Sequence, residues 1–81
     1  MEILDLDLIK ERRKKNGLTL KQMADRLGFS NASVYYKYES GIYAFKAETL
    51  PILAMILKCD INNFFKKNYS KTEINRDQKS A

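Results

Sequence analysis

Residues 33–41 read SVYYKYESG, three tyrosines around one lysine, closed by a glutamate and a glycine. The groups on offer are aromatic faces, hydroxyls, one ammonium and one carboxylate. Such a set can pack a core, stack on bases or read the edges of DNA. It is poor material for catalysis. Histidine is absent from the chain, which removes the commonest general base, proton shuttle and zinc ligand. Neither a GxxxxGKS/T loop nor a GxGxxG loop is present to cradle a phosphate. The single cysteine, Cys59, excludes an intramolecular disulfide and a cysteine metal cluster. An enzyme is not expected, nor a metal or cofactor.

The totals set the frame for these residues. A chain of 81 residues suits one small domain with a small core, stable if it is compact and helical or associates with a partner. One proline and three glycines supply too few turn signals for an all-β fold. A reduced, cytoplasmic setting is expected from cysteine usage. The opening MEILDLDLIKERRKK lacks the basic-then-apolar order of a signal peptide. The longest apolar run, LPILAMILKC, has ten residues, too few to cross a membrane. Net charge is +5, unevenly placed. Residues 1–65 carry ten Lys+Arg against eight Asp+Glu, and residues 66–81 carry five against two. A nucleic-acid partner is compatible with this mild basicity but is not demanded by it.

Periodicity and caps divide residues 1–65 into helices. The first starts at Asp5 or Asp7, both good N-caps, and runs through LIKERRKK to left-handed cap residues at Asn16-Gly17. Leu6 and Ile9 share a face, with Arg13 one turn further on. KERRKK reads as a solvated face with cations near the helix C-terminus. The second helix opens on a capping box, Thr19 to Gln22, repeats Leu20, Met23, Ala24 and Leu27 at helical spacing, and ends at Gly28. The third follows a short turn, with Asn31 as N-cap and Ser30 as the alternative, and ends at Gly41. Steps of 100° per residue put Asn31, Val34, Tyr35 and Tyr38 on one face. Ser33, Tyr36 and Lys37 lie on the other, with Ala32 at its edge. Tyr35 and Tyr38 therefore read as core, and Tyr36 as offered to solvent or a partner. A fourth helix spans roughly 47–57, with Pro51 tolerated in its first turn. Asp60 caps a short fifth helix from Ile61 to about Phe65. Residues 66–81 read as a polar, flexible tail.

Two short helices joined by a tight turn form a helix-turn-helix, a motif whose second helix enters the DNA major groove. The order NGLTLKQMADRLGFS, then YKYESG, then ETLPILAMILKCDINNFF resembles the phage-repressor (Cro and repressor-like) helix-turn-helix family over about residues 6–65. The resemblance implies an all-α, compact five-helix domain of lambda-repressor-like fold that binds double-stranded DNA as a transcriptional repressor, with a homodimer on its operator. Carried over by position, Asn31, Ala32, Ser33, Tyr36 and Lys37 face base edges. Thr19 and Lys21 meet phosphate, and Ser40, Tyr43 and Lys46 touch the backbone. Arg13 and Glu39 match a structural ion pair tying the first helix to the end of the third. Cys59 falls where the family keeps a small apolar residue.

The chain departs from the family pattern twice. The turn before the third helix is one residue longer than the commonest form, and Leu20 replaces the usual Gln, which removes one phosphate contact. Lys37 can donate to guanine O6 and N7. Tyr36 can pack on a thymine methyl, bond a phosphate or cover Lys21. On the fourth helix Leu50, Leu53, Ala54 and Leu57 form an inward stripe, while Ile52, Met55 and Ile56 are surplus apolar residues. They fit a dimer interface, a docking site for a regulatory protein partner, or a wider core completed by Phe64 and Phe65. The alternative to a DNA-reading repressor is a protein-binding module of the same fold, an antirepressor or antitoxin-like partner.

Overall fold

The computed structural model describes residues 2–67. Four α-helices carry the fold: α1 (Leu6–Lys15), α2 (Leu20–Leu27), α3 (Ala32–Glu39) and α4 (Leu50–Leu57). Two short strands, β1 (Glu2–Leu4) and β2 (Phe65–Lys67), pair antiparallel with Leu4 opposite Phe65. No helix among the described residues is long and apolar enough to cross a membrane.

Local chemistry sets most helix starts. Asp5 caps α1 by accepting from the Leu8 amide at 3.2 Å, which decides between Asp5 and Asp7. Thr19 and Gln22 form both arms of the capping box, Gln22 N to Thr19 Oγ1 at 3.0 Å and Thr19 N to Gln22 Oε1 at 2.8 Å. Asn31 caps α3 through the Val34 amide at 2.9 Å, so Ser30 stays in the turn. At the end of α1 only Gly17 is left-handed, at φ 70°, while Asn16 keeps φ −86° and bonds back into the helix.

The five-helix expectation is not met. The segment after Asp60 forms a 3-10 helix of four residues, Ile61–Phe64, and Phe65 then turns extended to enter β2. The pull of strand pairing with Glu2–Leu4 ends the coil before an α-turn can propagate. Residues 66 and 67, read from the sequence as the start of a tail, belong to that strand; residues 68–81 of the expected tail lie outside the described residues. The fourth helix also starts later than expected. Ala47–Thr49 is a 3-10 turn, and the α-helix proper begins at Leu50 with Pro51 in its first turn.

Ile9, Met23, Ala24, Tyr35, Leu53, Ala54, Leu57 and Phe64 form the buried core, so every α-helix contributes to it. Leu6, Leu20, Leu27 and Leu50 are only partly buried around it. Tyr35 is fully buried, and Tyr38 is half-buried, stacked on Phe29 with centroids 4.6 Å apart. KERRKK is not uniformly solvated. Arg12 donates to the carbonyls of Leu57 and Lys58 at 3.0 and 2.9 Å, and Asn16 Nδ2 donates to Leu57 O at 3.0 Å. Together they satisfy the terminal carbonyls of α4, where a cation also meets the negative end of the helix dipole.

Candidate nucleic-acid interface

α3 is held from its inner side by a buried polar cluster. Arg13 Nε and Nη2 fork onto Glu39 Oε2 and Oε1 at 2.8 and 3.2 Å. Arg13 Nη1 donates to Leu18 O at 2.9 Å, and the Tyr35 hydroxyl donates to Glu39 Oε2 at 2.7 Å. The Arg13 and Glu39 side chains are 10% and 3% exposed. A bidentate guanidinium–carboxylate pair with its remaining valences used satisfies the terms on which charge can be buried. Burial pushes the Tyr35 hydroxyl far above its ordinary pKa; its bond to Glu39 and that carboxylate's charge add to the rise, and Arg13 opposes it. This network orients α3 on α1 and fixes which side of α3 looks outward.

That outer side holds Ser33, Tyr36 and Lys37. Ser33 is exposed and Tyr36 is 52% exposed. The Lys37 ammonium meets no carboxylate among the described residues and lies over the Tyr43 ring, 5.5 Å from its centroid. Tyr43 is anchored in turn, edge-on to Tyr38 at 5.4 Å, with its amide donating to Lys37 O at 3.0 Å. A cation resting on an aromatic face is positioned without being neutralised, so its charge remains available.

The other site residues expected from sequence are placed as follows. Ala32 is half-buried at the start of α3, beside Asn31, whose side chain is occupied as the cap. Thr19 is exposed and engaged in its capping box. Lys21 is exposed, with a loose surface pair to Asp25 at 3.4 Å. Ser40 is exposed, and its hydroxyl donates to Lys37 O at 3.3 Å. Lys46 is exposed in the loop before α4. On α4, Ile52 and Met55 are 48% and 76% exposed, while Ile56 turns partly inward and packs against the core.

Ser33, Tyr36, Lys37 and Ala32 line one groove together with Leu20 and Ile42. The last two are absent from the sequence-derived site. Leu20 reads as a core position of α2, and Ile42 as an ordinary loop residue. The one signal for Ile42 is a large apolar side chain directly after the glycine that closes α3.

Two short helices joined by a tight turn, the second with an outward polar face and an ammonium that meets no carboxylate among the described residues, define a helix-turn-helix DNA-binding domain. A comparison with family models agrees. The helix-turn-helix family matches residues 9–64, and the chain belongs to that family, whose members are DNA-binding transcription regulators. No curated protein and no solved structure matches the chain.

Proposed function

We propose that this protein is a sequence-specific repressor of phage or mobile-element type, which lays α3 in the major groove and acts by occupying an operator in the cytoplasm. The observation that carries this is the outer face of α3. Ser33 and Tyr36 are exposed on it beside the half-buried Lys37, whose ammonium meets no carboxylate among the described residues, next to the first turn of α2. In that turn the amides of Leu20 and Lys21 have no intrahelical acceptor, and a helix N-terminus suits a phosphate oxygen. Thr19 and Lys21 hold the backbone on one side, and Ser40, Tyr43 and Lys46 on the other. Lys37 addresses guanine, and Tyr36 and Ser33 address the neighbouring bases. Two protomers on half-sites about one turn, ~34 Å, apart give the operator its inverted repeat. Phosphate contacts make affinity steeply salt-dependent.

The test is selection from a random duplex pool at near-physiological salt. An enriched inverted repeat with half-sites one turn apart is the expected result. Retention without a motif, vanishing as salt rises, would remove sequence-specific reading.

Exposed Ile52 and Met55 on α4 favour a second reading, a module that docks another protein through that helix. Lys37→Ala separates the two. It lowers specific DNA binding by about the worth of one base contact, ~1–3 kcal/mol, under the first reading and leaves partner binding intact under the second. The double change Ile52→Lys with Met55→Lys does the reverse, and also weakens any DNA binding that depends on a dimer formed there.

A further inference from the structure

The loop after α3 returns to the helix it has just left. Gly41, at φ 91°, turns the chain back, and Tyr43 then meets Lys37 twice. Its amide donates to Lys37 O at 3.0 Å, and its ring lies under the Lys37 ammonium, 5.5 Å from centroid to Nζ. The ring is also fixed from behind. It stands edge-on to Tyr38 at 5.4 Å, and Tyr38 stacks on Phe29 at 4.6 Å. A hydroxyl offered to a phosphate needs none of these contacts with Lys37. Two other lysines are held by carboxylates instead, Lys21 by Asp25 at 3.4 Å and Lys66 by Asp5 at 3.8 Å. A carboxylate beside Lys37 would cancel its charge and repel a phosphate. A ring face attracts the ammonium and leaves its charge and N–H donors for a further acceptor. A lysine on a flexible stem loses rotamer freedom when it binds. A stem already leaning on a ring has lost part of that freedom beforehand.

We infer that Tyr43 is the positioning residue for base reading by Lys37: its ring holds the ammonium in place while the N–H groups donate to guanine O6 and N7. The inference rests on the DNA reading of α3. It adds to that reading a role for the Tyr43 ring that is separate from the backbone contact proposed for the same residue. The hydroxyl, on a phosphate, serves every sequence alike. The ring serves only the base pair that Lys37 reads.

The test uses the full chain and the operator enriched by selection. The base pair read by Lys37 is the one at which Lys37→Ala relaxes the preference. Preference at each position of a half-site is the ratio of affinities for the enriched and the substituted duplex. Tyr43→Leu should lower that ratio at the Lys37 position by roughly two- to five-fold, the worth of one exposed cation–π contact, and leave the other ratios unchanged. Tyr43→Phe keeps the ring and should keep every ratio, while loss of a hydroxyl contact lowers affinity for all duplexes alike. In the Lys37→Ala background, Tyr43→Leu should alter no ratio further. Tyr43 is 43% exposed, and leucine keeps an apolar contact for Tyr38, so the core stays intact. A ratio that Tyr43→Leu leaves unchanged or raises, a loss spread evenly over all positions, or an effect that persists without Lys37 overturns the positioning role while the DNA reading stands. Failure of Lys37→Ala to relax any position overturns base reading by Lys37, and failure to enrich any duplex overturns the DNA reading; the positioning role falls with either.

Discussion

The two faces of α3 are built from the same few residue types and used in opposite ways. On the inner face, Tyr35 and Glu39 are buried, and each polar group has a partner within 3.2 Å: Tyr35 with Glu39, and Glu39 with the two arms of Arg13. On the outer face, Tyr36 and Lys37 lie between those residues in sequence, yet Tyr36 is half exposed and the Lys37 charge rests on a ring, with no carboxylate beside it among the described residues. A tyrosine or a charge on a short helix therefore has no fixed role. Its role follows from whether the rest of the chain satisfies it. Satisfied groups hold the helix in place, and unsatisfied ones are left for a partner to satisfy.

Breaking the inner face should have the largest effect. Arg13→Ala or Glu39→Ala each strands a buried charge, and each should cost about 3–5 kcal/mol of unfolding free energy in urea titrations. That approaches the whole stability of a small domain. Replacing both together, Arg13→Met with Glu39→Leu, should cost less than either single change, because no charge is left unpaired. A single change costing under about 1 kcal/mol would mean that the pair does not anchor α3.

Tyr35→Phe makes a smaller break. It removes the hydroxyl that donates to Glu39, and a hydrogen bond to a charged group is worth roughly 1.5–3 kcal/mol. The same residue gives the comparison a pH signature. The folded protein holds the Tyr35 proton well above the ordinary tyrosine pKa of 10.0, whereas the unfolded chain loses it near that value. The stability from this group is thus complete below about pH 10 and falls as pH rises beyond it. Denaturation midpoints should show the advantage of wild type over Tyr35→Phe narrowing above about pH 10.

Lys37→Ala tests the outer face. Unfolding free energy should move by no more than about 0.5 kcal/mol, as for ordinary surface changes. Titration of the enriched operator should meanwhile show about 1–3 kcal/mol of lost discrimination against a scrambled duplex. A stability loss as large as that of Tyr35→Phe would erase the distinction between the faces. Thr19→Ala lies at the border between them and should have the smallest effect. Its hydroxyl caps α2, and the loss should be about 1 kcal/mol of stability by chemical denaturation.

Much of this architecture is legible one segment at a time. The capping box at Thr19 and Gln22, the Asn31 cap and the Asp60 cap are bonds between residues two or three apart, and residue type with spacing is enough to see them. The split of Tyr35 from Tyr36 follows from a 100° step. The Arg13–Glu39 pair spans 26 residues and came into view through the family resemblance, not through the spacing of either residue. The strands were missed because EIL and FKK are three residues each, too short to show an alternation. Arg12 was missed because its partners are main-chain carbonyls 45 and 46 residues away, which no side-chain pattern marks.

By itself, then, the sequence determined α1, α2 and α3, their N-caps and which face of α3 turns inward, since these depend on interactions within about one helical turn. The tertiary structure alone decided three further things. It replaced the expected fifth α-helix with a 3-10 turn, because pairing with β1 draws Phe65 into an extended strand. It turned Arg12 from a solvated cation into the cap of α4. It brought Leu20 and Ile42 together beside Lys37, across 22 residues of chain. Each of these depends on segments distant in sequence becoming neighbours, and only the packing of the whole core sets that proximity.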